Sequence, residues 1–138
     1  GLGGIVYGVL TRILVERIGP SRMTVSGGLL MAAGYALFAL PFLPWWSAIP
    51  LFVVNGFGFF LMHGTFQAQA TELAPGARGS AVALFACCLF CGHAIGPVIM
   101  GLALHVLGTT GAILLFALAI GLLGVVTPRI LPLAGSRT

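Results

Sequence analysis

Between residues 50 and 100 the sequence places Asn55, His63, Gln67, Gln69 and His93 among long apolar runs. Amide and imidazole groups in such surroundings can bind a polar solute, relay a proton, ligate a metal or join neighbouring helices. His63 and Gln67 stand at i, i+4 and share a helix face. His63 precedes Gly76 by 13 residues and His93 follows it by 17. If the chain turns at Gly76, the two imidazoles differ in depth by only ~6 Å at ~1.5 Å per residue. One shared cavity and two separate packing contacts are both open readings. His105 lies near the end of its apolar run. A haem could be held between His63 and His93, but the sequence offers only one such pair. Cys87, Cys88 and Cys91 beside His93 suggest a metal. However, adjacent helical residues diverge by ~100°, so one helix cannot close a tetrahedral site. Small apolar packing fits the cysteines better. Ser26, Ser47 and Ser80 have no acid placed to orient a histidine. No phosphate loop or zinc motif is present. Catalysis, cofactor and metal are therefore not expected.

The elements that carry these residues are unusually apolar. Of 138 residues, 59% are hydrophobic and 6% charged, against roughly 25% charged in an average soluble domain. A soluble fold could not cover its surface with so few charges. Spans of about 20 residues cross a hydrocarbon core, and residues 23–43, 50–70, 80–107 and 110–130 qualify. The expectation is an all-α, polytopic bundle. The net charge of +4 does not indicate nucleic acid, because the bases form no stripe and no recognition motif.

The charges fix a direction. Arg12, Arg17 and Arg22 fall in one junction, Arg78 in a second, and Arg129 and Arg137 in the tail. Glu16 and Glu72, the chain's acids, share the first two junctions. The junctions around 41–50 and 105–111 carry no charge, and Trp45 and Trp46 occupy the first of these, as in an interfacial aromatic belt. Arginines are retained on the cytoplasmic side, which puts the charged junctions and the C-terminus there. The first apolar run, 1–14, reaches only ~21 Å at ~1.5 Å per residue. A first span over about 1–18 is expected to be the remainder of a longer helix. Five crossings from an outside start agree with a cytoplasmic C-terminus.

The first charged junction, from Tyr7 to Arg22, resembles the cytoplasmic "G-x-L-a-D-R-x-G-R-R" signature of the major facilitator superfamily. Arg12 replaces its first Gly, Glu16 stands for its Asp, and Arg22 alone represents the final basic pair. The stretch 56–101 is similar to the tenth and eleventh helices of efflux members, where an "x-x-a-P-x-x-R-G-x-A" loop leads into a "G-x-x-x-G-P" helix. Glu72, Pro75, Arg78 and Gly79 match the loop; Gly92, Gly96 and Pro97 match the helix. The resemblance covers nearly the whole chain, from the second part of the eighth helix to the end of the twelfth.

It implies the C-terminal half of a twelve-helix secondary transporter in a cell membrane, bacterial inner membrane being the expectation. Such a protein exports small molecules by alternating access about a midplane site. Its partners would be lipid, a small-molecule substrate and the N-terminal half. Asn55, His63, Gln67 and His93 would line the pathway. Arg12, Glu16, Arg17, Gly19 and Arg22 would form a cytoplasmic gate, though topology alone also explains the bases. The row Cys88, Gly92, Gly96 would pack helices closely, with Pro97 bending its helix. A non-transporting membrane subunit or scaffold, its polar groups serving packing only, is the alternative. With the native cysteines replaced, a cysteine at Ser47 or Gly108 should react with an impermeant reagent from outside. One at Ser21, Gly76 or Ser136 should react only after the membrane is opened. Labelling at Gly76 in intact cells would contradict the orientation.

Overall fold

The computed structural model describes residues 2–130, without the side chains of Thr11 and Arg12. Arg137 therefore lies outside the described residues. The described chain is all helical, with no strand: α1 (Leu2–Ile18), α2 (Pro20–Phe38), α3 (Ala48–Leu73) and α4 (Arg78–Ile130), with short 3-10 turns at Trp45–Ser47 and Pro75–Ala77. α4 is two helices in line of sequence, separated where Gly108 adopts φ 69° and ψ 176°.

Local chemistry sets these limits. Gly19 takes φ 78°, which ends α1, and Pro20 opens α2 in the first turn. There its missing N–H costs nothing and its fixed φ suits a helix. α2 stops at Phe38, five residues short of the expected end at 43. Proline at 41 disfavours helical geometry for the residue before it and offers no N–H. Pro50 is accommodated in the first turn of α3, which extends to Leu73. Pro97 lies within helical backbone, and the residue that leaves helical dihedrals is Gly108. The φ of proline is itself helical, so its effect is a lost hydrogen bond, whereas positive φ ends the helix outright.

Packing depends on glycines facing glycines. A methyl group built on Gly27 would lie 2.7 Å from the Gly58 carbonyl oxygen, and one on Gly58 would lie 2.8 Å from that of Gly27. Gly28 and Gly124 face each other equally closely, with a methyl on either 2.7 Å from the other's Cα. A methyl on Gly3 would meet the α3 backbone at Phe57, 2.5 Å away. α2 is thus clamped between α3 and the second arm of α4, while α1 leans on α3. Contact numbering gives direction. Gly3, Gly4 and Tyr7 meet residues near 56, 60 and 64 in rising order, so α1 and α3 run parallel. Gly28 and Ala32 meet Gly124 and Gly121 in falling order, so α2 and the second arm are antiparallel.

The outside of this bundle is apolar. Trp45–Leu73 and Pro75–Ile130 are each long and apolar enough to cross a membrane, yet only 28% and 17% of their most apolar windows are buried. A soluble core helix would be mostly covered. Phe52, Leu84, Phe90, Val98 and Leu118 all present more than half their surface outward. The glycine contacts make a sharp prediction. Gly28→Ala or Gly124→Ala should cost about 1–3 kcal/mol by overpacking, measured as a lowered melting temperature of the full-length protein. Gly76→Ala, with open space around it, should leave the melting temperature unchanged.

Candidate functional site

Parallel α1 and α3 end on the same side, so the two charged junctions meet. Together they enclose a cavity of about 650 Å³. From the first junction it is lined by Glu16, Arg17, Gly19 and Arg22; from the end of α3 it is lined by Thr65, Gln69 and Glu72. Tyr7 reaches in from α1, over Gly64, where any side chain would collide with its hydroxyl. Its ring also stacks on Phe60, with centroids 5.9 Å apart. The floor is Met23, 2% exposed, with Thr24 fully buried beside it. Thr24 and Thr65 donate their hydroxyls to the Pro20 and Leu61 carbonyls at 3.0 and 2.8 Å. Both therefore satisfy themselves within their own helices and leave the cavity's polarity to the charged groups.

A concave site with carboxylates from two junctions and guanidinium groups from the first can hold itself shut by ion pairs and open when they separate. The individual side chains are exposed, so each pair is worth about 0–1 kcal/mol. Several together can bias a conformational balance without locking it. Sequence reasoning found both groups of charges but kept them apart. The parallel run of α1 and α3 joins them, which no periodicity within one helix reveals. Gln69, read as a residue inside its span, belongs to this charged end. Pro75 lies in the 3-10 turn, with Arg78 and Gly79 exposed at the start of α4. Gly79 meets open space. The side chain of Arg12 lies outside the described residues.

The intramembrane polar residues separate. His63 is half-buried, stacked on Phe59 at 5.2 Å and tilted against Phe85 of α4 at 5.4 Å. His93 is exposed, with Phe90 of its own helix 6.3 Å away. The α4 residue at the level of His63 is thus Phe85, eight positions before His93, or ~12 Å along the helix. Gln67 is exposed. Asn55 is buried and lines a different, apolar cavity between α2, α3 and both arms of α4. Cys87, Cys88 and Cys91 are exposed free thiols. Gly92 and Gly96 meet open space, so their row packs against no described helix of this chain.

The sequence matches the Major Facilitator Superfamily over residues 1–137. The chain belongs to the major facilitator superfamily. It is thus an integral membrane protein of a transporter family. A Bacillus subtilis (strain 168) protein described as an uncharacterized MFS-type transporter, YceJ, is 35% identical over 112 residues, covering 73% of this chain. The chain spans 26% of that curated relative's length. No solved structure matches. Within this superfamily frame the shared cavity gives a test. If Glu16 and Glu72 act through one cavity, Glu16→Gln and Glu72→Gln in the full-length protein should be non-additive. Their transport rates should depart from the product of the single effects by more than about twofold, a coupling of ~0.5 kcal/mol. Strict additivity would separate the two junctions.

Proposed function

We propose that this chain forms the C-terminal half of a secondary transporter that exports small molecules by alternating access. The observation that carries the proposal is the charged cavity, in which Glu16, Arg17 and Arg22 share walls with Gln69 and Glu72. In this reading that end faces the cytoplasm of a bacterial inner membrane. The five helical segments cross the bilayer, and the charged cluster is a latch. Closing it seals the cytoplasmic side; breaking it lets the half rock against its partner about a midplane site. The outward row of Cys88, Gly92 and Gly96 suits a close approach by helices of the other half, since small residues let backbones meet.

Within the pathway, His63, Gln67 and His93 are the candidates to meet a substrate, and Asn55 stands apart in its own cavity. The rings around His63 favour a second reading for that residue, a packing bridge between α3 and α4. Intramembrane polar groups need a cavity or a partner, and the two readings separate experimentally. If Gln67 and His93 line the pathway, Gln67→Ala and His93→Ala should change which substrates accumulate inside inverted membrane vesicles, or their apparent affinity, by severalfold at near-normal protein abundance. If His63 is a packing bridge, His63→Ala should reduce folded yield while selectivity stays as in the wild type. Unchanged selectivity in all three variants would remove these residues from the pathway. Substrate uptake driven in the opposite sense, into intact cells, would reverse the direction proposed.

A further inference from the structure

Three thiols stand together on the first arm of α4. Cys87, Cys88 and Cys91 are all free and exposed. Cys87 and Cys91 lie ~14 and ~20 Å along the helix from Arg78 at ~1.5 Å per residue, well inside the apolar span. The arm meets α3 through Phe85, whereas Leu84 and Phe90 are turned outward. At ~100° per residue, Cys87 and Cys91 project between Leu84 and Phe90, away from Phe85. Packing among the described helices therefore leaves this pair of thiols uncovered, in apolar surroundings.

Spacing and surroundings select what such a pair can hold. Cys87 and Cys91 stand at i, i+4, ~40° apart around the helix, with Cβ atoms ~5–6 Å apart. Cys88 diverges from Cys87 by ~100° and stands in the row of Gly92 and Gly96. Two sulfurs one above the other can chelate one soft centre, since sulfur ligands select soft acceptors. No group of three or more residues able to hold a metal ion occurs among the described residues. Two thiolates around a monovalent ion would also carry a net negative charge. A divalent ion would have to bring its own charge in and release two protons. Between residues 80 and 107 the chain has no Lys, Arg, Asp or Glu to meet such charges, and charge in a bilayer is expensive. A monosubstituted trivalent arsenical, R–As(OH)₂, avoids that cost because it is neutral before and after binding. Two As–O bonds break and two As–S bonds form. The thiol hydrogens leave with the hydroxyl groups as two waters, and arsenic stays trivalent throughout.

We propose that Cys87 and Cys91 form a chelating site for a monosubstituted trivalent arsenical, whose organic group lies among the outward apolar side chains of α4. The site lies apart from the charged cavity and does not depend on the direction or mechanism of transport. The test uses the full-length protein in nanodiscs, with any cysteine outside this cluster replaced by serine, and phenylarsine oxide as the probe. Intact-protein mass spectrometry should show one adduct per chain, with two of the three thiols lost to maleimide. Excess ethanedithiol should remove the adduct, whereas the same excess of the monothiol mercaptoethanol should leave it in place, as a chelate requires. Cys88→Ser should keep the affinity within twofold. Cys87→Ser and Cys91→Ser should each weaken it at least tenfold. Absence of an adduct, its removal by the monothiol, undiminished binding by Cys87→Ser or Cys91→Ser, or loss of binding in Cys88→Ser would overturn the proposal. Should either serine variant fail to fold, the other variant and the monothiol result decide. Because the readout is binding, a failed transport reading leaves this result intact.

Discussion

The contact on which the rest of this molecule depends is backbone against backbone at glycine. Within a bilayer, lipid tails are as apolar as leucine, so burial of apolar side chains gives helices little reason to associate. Close van der Waals approach must do it instead. Gly27 against Gly58 and Gly28 against Gly124 provide that approach on two neighbouring positions of one helix. α2 thereby becomes the shared seam of the bundle. Adjacent residues on a helix point ~100° apart, so one glycine addresses α3 and the next addresses the second arm of α4. A side chain at any of these positions would push the helices apart and loosen every site built between them.

The position of the charged cavity follows from that packing. With α1 parallel to α3, their last turns lie together, and Glu16 and Arg17 come to the same rim as Gln69 and Glu72. The apolar cavity around Asn55 sits toward the other end, where the sequence has tryptophans and no charge. Local hydrogen bonding divides the polar residues in the same way. Thr24 and Thr65 are satisfied within their own helices and serve packing. The groups left to interact across helices are the charges at one end and the Asn55 amide in the interior.

Much of this was legible because charge and periodicity are local signals. A chain with arginines in so few places declares which junctions share a side, and apolar runs declare helices. The all-α architecture followed from those, and the family from the motif resemblance of the junction from Tyr7 to Arg22 and the stretch 56–101. The helix limits were blurred where turn chemistry outweighed hydropathy: residues 39–43 are apolar, yet Pro41 ends α2 before them. The glycine seam was missed for a different reason. Gly92 and Gly96 form a recognisable pattern within one helix, but they meet open space here. Gly27 and Gly28 carry no pattern at all until their partners on other helices are known. Likewise, counting residues from Gly76 placed His63 and His93 at similar depth. Depth does not fix the direction in which a side chain points, and Phe85 proved to be the neighbour of His63.

On the proposed transport reading, the glycine contacts hold α1, α2, α3 and the second arm of α4 as one rigid body that moves as a unit. Pulsed electron-electron distance measurement between spin labels at Ser21 and Gly76, in the full-length protein with its native cysteines replaced, tests it directly. A single narrow distance distribution, unchanged between substrate-free and substrate-loaded protein and broadened by Gly28→Ala, is the predicted result. A distribution that shifts or splits when substrate is added would contradict it, because the charged junctions would then be moving against each other within the bundle.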